Sequence, residues 1–154
     1  VHNCGNLLRF MLICIRGTVM INFDNLQNAY VTLNNCYRDY CGNQSSEFIQ
    51  YISDACVKRF EYTLEMSWKL AKKILIQKYG KEEKELSMNN IFRFMEGYGY
   101  TKNWENWKNY YQKRNETAHE YDFVKSRTLI TLVPDFLNDV EFFIKKLQEE
   151  SNDD

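Results

Sequence analysis

Apolar residues recur at helical spacing along almost the whole chain after Met20. From about Asp24 to Tyr40 the residues Leu26, Ala29, Tyr30, Leu33 and Tyr37 follow a 3.6-residue period, and Cys41-Gly42-Asn43 supplies a stop. Ser45-Ser46-Glu47 opens what should be the longest element. From Glu47 to Tyr79 there is no Gly or Pro, and Phe48, Ile52, Ala55, Cys56, Phe60, Leu64, Trp68, Ala71 and Leu75 form one stripe up to a C′ stop at Gly80. Such a helix would be the spine of a bundle. A charged connector, Lys81 to Glu85, leads to a short helix N-capped by Ser87, carrying Ile91, Phe92, Phe94 and Met95 and closed by Gly97 and Gly99. Thr101 or Asn103 starts the next helix, with Trp104, Trp107, Tyr110, Tyr111 and Arg114. Asp122 is the expected N-cap of a last helix reaching about Gln148, on Val124, Leu129, Leu132, Val133, Phe136, Leu137, Val140, Phe143, Ile144 and Leu147, with Pro134 kinking or dividing it.

The pattern predicts an all-α fold, an antiparallel helical bundle of four to five helices with one long spine helix and a Pro-kinked last helix. At 154 residues the chain is one domain's worth, and a 16% aromatic content with one proline and six glycines points away from disorder and from a turn-rich β-sandwich. The domain is expected over 20–150, with 1–19 an extension and 151–154 an acidic tail. The run Leu7 to Ile15 is apolar but too short to span a membrane, and no small-residue cleavage site follows it. Met20 is a possible alternative start.

Net charge is -1, so a generally basic nucleic-acid coat is excluded, yet Lys58 to Lys81 holds seven basic residues against Glu61 and Glu65. That face either binds an RNA backbone or is simply solvated. The five cysteines, Cys4, Cys14, Cys36, Cys41 and Cys56, have no C-x-x-C spacing, so neither a disulfide framework nor a zinc site is expected, and a reducing cytoplasm is the simplest compartment. No Gly-rich phosphate loop or Gly-x-Ser-x-Gly elbow is present.

The chemistry concentrates in Arg114-Asn115-Glu116-Thr117-Ala118-His119-Glu120-Tyr121. A guanidinium matches phosphate oxygens and stays charged, and an imidazole suits proton transfer near neutrality. Together they allow RNA cleavage without metal: His119 takes the proton of a ribose 2′-hydroxyl, that oxygen attacks phosphorus, Arg114 stabilises the phosphoryl charge, and Asn115 adds a neutral hydrogen bond. Positions five apart on a helix are rotated by roughly 140°, so Arg114 and His119 converge best across a groove, for instance one shared by two copies. The same two residues near a helix C-terminus also suit the macrodipole and the last carbonyls.

The run Val57-Lys58-Arg59-Phe60-Glu61-Tyr62-Thr63-Leu64-Glu65-Met66-Ser67-Trp68-Lys69-Leu70, followed by the Arg114 to Tyr121 motif, resembles the HEPN superfamily. Within it, the chain is similar to the nucleotidyltransferase substrate-binding proteins, a branch that includes HEPN toxins paired with minimal nucleotidyltransferases. The resemblance covers about 20–148. It implies a homodimer in which the motif helices of two copies line one cleft, and a metal-independent endoribonuclease with Arg114 and His119 as catalytic residues and Asn115 beside them. It further implies RNA, for instance tRNA, as substrate, a nucleotidyltransferase antitoxin as partner, no cofactor, and Tyr121 as acceptor of an AMP group that would silence cleavage by repulsion and bulk.

Two functions stand at this point: that toxin, or a non-catalytic subunit that presents a substrate to a nucleotidyltransferase. Tyr121 could equally be a turn tyrosine packed on the bundle. Arg59, Glu61 and Glu65 either form surface pairs or position the motif helix, and Trp104, Trp107 and Tyr110 either stack RNA bases or anchor a helix.

Overall fold

The computed structural model describes residues 20–117 and 123–153, with side chains described up to 117 and again from 127. Among them the chain forms α1 (Asp24–Gly42), α2 (Ile49–Gln77), a 3-10 turn (Glu83–Glu85), α3 (Met88–Gly97), α4 (Trp104–Thr117) and α5 (Phe123–Asn152), and no strand. The all-α expectation holds.

Cross-helix contacts give the directions. Thr63 Oγ1 donates to the Ala29 carbonyl at 3.4 Å and Cys36 Sγ to the Ile52 carbonyl at 3.8 Å, so α1 and α2 are antiparallel. Tyr110 bonds Asp139 while Trp107 meets Phe143, so α4 and α5 are antiparallel as well. Phe60 meets Phe136 at 4.6 Å between ring centroids and Lys78 meets Glu150 at 2.8 Å, which makes α2 and α5 parallel. The result is an up-down-up-down bundle of α1, α2, α4 and α5. Helices α2 and α5 touch across its diagonal, and α3 packs on α2 and α4.

The spine helix starts later than its sequence suggests. Ser46 forms a turn, accepting from Phe48 N on its hydroxyl at 3.1 Å and from Ile49 N on its carbonyl at 3.2 Å, so the helix begins at Ile49. Phe48, expected on the core stripe, is 57% exposed, and Ala55 is exposed too. The core line of α2 runs instead through Ser53, Cys56, Phe60, Thr63, Leu64, Ser67, Ala71, Ile74 and Leu75. Its hydroxyls turn back to their own helix, Thr63 to the Arg59 carbonyl at 2.7 Å and Ser67 to the Thr63 carbonyl at 2.8 Å, which lets small polar residues sit in a dry interface. Ser53 Oγ is buried with no hydrogen-bond partner.

At 30 residues α5, not the 29-residue α2, is the longest helix. It is not divided at Pro134, whose ring is exposed on the outer face of the helix. It also continues past Gln148, with Ser151 Oγ donating to the Leu147 carbonyl at 2.9 Å. Other stops and starts match expectation. Gly80 takes φ +63° after α2, Ser87 Oγ accepts from Asn90 N at 3.3 Å at the start of α3, and Asn103 Oδ1 accepts from Glu105 N at 2.9 Å at the start of α4. The expected Asp122 cap lies outside the described residues, as do residues 1–19. Among the described residues no helix is long and apolar enough to cross a membrane.

Candidate functional site

A groove runs between α2 and α4. Glu61, Leu64, Glu65 and Trp68 line one side and Tyr111 and Arg114 the other, around a volume of about 220 Å³. Spacings of i, i+3, i+4 and i+7 on α2, and i, i+3 on α4, place each set on one helical face. The groove is smaller than the roughly 300–1,000 Å³ of pockets that enclose a drug-sized ligand. It can therefore grip one ring system while the rest of a ligand lies outside.

Arg114 is half-buried in the last turns of α4, where its Nη1 donates to Asn115 Oδ1 at 3.3 Å and its carbonyl accepts from Thr117 Oγ1 at 2.9 Å. The two predicted polar neighbours of the motif thus touch each other. His119 and Tyr121 lie outside the described residues. Glu61 and Glu65 line the groove on the α2 side, opposite Tyr111 and Arg114. Each also forms a surface pair, Glu61 Oε2 with Lys58 at 2.9 Å and Glu65 Oε1 with Lys69. Arg59 is exposed on α2 and does not line the groove, so it does not share the site with the glutamates.

Of the two readings of the aromatic residues, helix anchoring holds for Trp107 and Tyr110. Trp107 is fully buried, with Nε1 donating to Thr101 Oγ1 at 2.9 Å, and Tyr110 is buried with its hydroxyl on Asp139 Oδ2 at 2.7 Å. Both are core anchors and cannot stack a base. Burial first, and the Asp139 carboxylate second, hold the Tyr110 hydroxyl protonated well above its ordinary range. Trp104 is half-buried with the Arg93 guanidinium 4.6 Å from its ring. The rings that do line the groove are Trp68, which the hydrophobic pattern places on the core stripe, and Tyr111, to which the sequence pattern gives no role. The signal that would have found them is Glu61, Glu65 and Trp68 on one face beside the apolar stripe.

The basic run on α2 is less free than its sequence implies. Lys58, Lys69, Lys72 and Lys78 are paired with Glu61, Glu65, Glu83 and Glu150. No group of three or more His, Cys, Asp or Glu suited to a metal occurs among the described residues.

The molecule is thus a small helical-bundle protein with a mixed-charge, aromatic-walled groove between its second and fourth helices. It belongs to the family described as nucleotidyltransferase substrate binding protein like, which matches residues 21–149. Two solved structures share its fold. One, from Haemophilus influenzae and described as revealing the fold of a substrate binding domain of a nucleotidyltransferase, is 22% identical with a TM-score of 0.75, over 82% of this chain and 99% of that one. The other, from Thermus thermophilus, is 23% identical with a TM-score of 0.64, over 79% of this chain and 98% of that one. No curated protein matches the sequence.

Proposed function

We propose that this chain is the substrate-binding subunit of a nucleotidyltransferase, holding a ligand in the α2/α4 groove for transfer chemistry performed by a separate catalytic polypeptide. The observation that carries this reading is the family match over 21–149, which takes in α1 to α4 and most of α5. The groove adds the means. Arg114 offers donors for a phosphoryl oxygen, and Trp68 and Tyr111 offer ring faces. Co-expression with a small nucleotidyltransferase from the same genome, followed by size-exclusion chromatography with light scattering, should give one complex containing both chains. Separate elution of the two at micromolar concentration overturns the reading.

A second reading keeps the same partner but makes this chain a homodimeric, metal-independent endoribonuclease toxin. Arg114, Asn115 and His119 would be catalytic and Tyr121 the AMP acceptor. The contact between Arg114 and Asn115 at the groove's edge supports it. Incubation with tRNA in EDTA decides: cleavage by the wild type and none by His119→Ala establishes the toxin, and no cleavage by either removes it.

A further inference from the structure

We propose that the α2/α4 groove binds a nucleoside monophosphate whose base carries an exocyclic amino group. The proposal rests on the reading of that groove as the subunit's substrate site.

The groove offers three kinds of contact. The first is stacking. Tyr111 is half-buried and braced by an edge contact with Phe92 at 6.3 Å between centroids, while Lys69 Nζ lies 5.8 Å from the Trp68 ring centroid. Two rings held on facing helices form a platform that any nucleobase can use. The second is acceptance. Glu61 and Glu65 are the groove's carboxylates, and the lysines engage one oxygen of each, Oε2 and Oε1 respectively, leaving Oε1 of Glu61 and Oε2 of Glu65 to accept from a ligand. A carboxylate only accepts. It favours the amino group of adenine, cytosine or guanine and repels the carbonyl oxygen that stands in place of the amino group when cytosine is compared with uracil or adenine with hypoxanthine. The third is donation, by the Arg114 fork, which suits phosphate.

Simpler ligands satisfy only part of this lining. A polyamine would meet the glutamates but face Arg114, and inorganic phosphate would meet Arg114 but face the glutamates. A ligand with an aromatic plane, an amino donor and a phosphate at separate points uses all three. The volume of about 220 Å³ suits a base held inside with ribose and phosphate at the open edge.

The test is isothermal titration of the full chain with CMP against UMP and with AMP against IMP, pairs in which an amino group is exchanged for a carbonyl and the adjacent ring nitrogen gains a proton. The amino member of each pair should bind at least tenfold more tightly. Glu65→Gln, whose amide can serve either partner, should narrow that ratio to about threefold or less, with circular dichroism unchanged. Arg114→Gln should weaken CMP and leave cytidine unaffected. Equal affinity within each pair, no nucleotide binding, or spermidine or inorganic phosphate alone bound as tightly as CMP overturns the proposal. Discrimination without a nucleotidyltransferase complex would overturn the subunit reading alone, and a complex without discrimination would overturn the groove's ligand alone.

Discussion

Cys56 sits fully buried on the core face of α2, and burial, followed by the neighbouring Cys36 thiol, pushes its pKa from 9.0 up to about 12. The fold favours the neutral thiol. Its contribution to stability is therefore fully present below pH 9, where the unfolded thiol is also protonated, and is lost as pH rises from about 9 toward 12. Tyr100 and Tyr110, both raised mainly by burial, act in the same direction at higher pH. Urea unfolding should show stability falling above pH 9 by up to about 1.4 kcal/mol per pH unit from this thiol. In Cys56→Ala the profile should start lower and fall less between pH 9 and 11; the same slope in both proteins would show that the thiol is not the cause. The burial of Cys56 is legible from the apolar stripe of α2, but the Cys36 contact is not, because the two thiols meet only when α1 folds back on α2. Arg114 and Asn115 are legible because their chemistry is local. Trp68 and Tyr111 are not, since an apolar periodicity does not distinguish a ring facing the core from one lining a groove beside it.

The helices show which local signals carry through. Ser87 and Asn103 cap where their residue types predict, because a side-chain acceptor for a free N–H depends only on near neighbours. The start of α2 is misread because Ser46 spends its acceptors on a turn. Gly97 and Gly99 look alike in sequence, yet Gly99 alone of the two has a positive φ, +80°. Around it Gly99 N donates to the Glu96 carbonyl at 3.0 Å and Tyr100 N to the Met95 carbonyl at 2.8 Å, a Schellman closure. The turn delivers the buried Tyr100, whose hydroxyl reaches Glu150 at 2.9 Å. A Cβ at either glycine would meet nothing within 4 Å, so the effect of alanine is purely one of backbone. Gly99→Ala should cost about 1–2 kcal/mol, lowering the melting temperature by roughly 2–8 °C for a chain of this size. Gly97→Ala should be neutral or slightly stabilising. Equal losses in a thermal melt would contradict the left-handed assignment.

At the scale of the whole molecule the sequence specifies helices and their apolar faces but not which faces meet. Short links between α1 and α2 make that pair antiparallel almost by necessity, whereas the parallel contact of α2 with α5 depends on which side chains fill the centre. Phe136 is that side chain: fully buried, with ring centroids 4.6 Å from Phe60, 5.1 Å from Tyr110 and 5.8 Å from Trp107. It joins three of the four long helices at one point. The groove draws on α2 and α4 as well, but, Leu64 apart, from partly exposed positions, so stability and binding should separate. Phe136→Ala should lose about 3–5 kcal/mol in urea unfolding through the cavity it leaves. Arg114→Gln and Glu65→Gln, partly exposed, should each change stability by less than about 0.5 kcal/mol. With no partner shared between Phe136 and Glu65, the double variant Phe136→Ala/Glu65→Gln should lose the sum of the single losses to within about 0.5 kcal/mol. A loss below about 1 kcal/mol for Phe136→Ala would mean that α2, α4 and α5 do not converge on this ring, and the diagonal packing that sets the walls of the groove would fall with it.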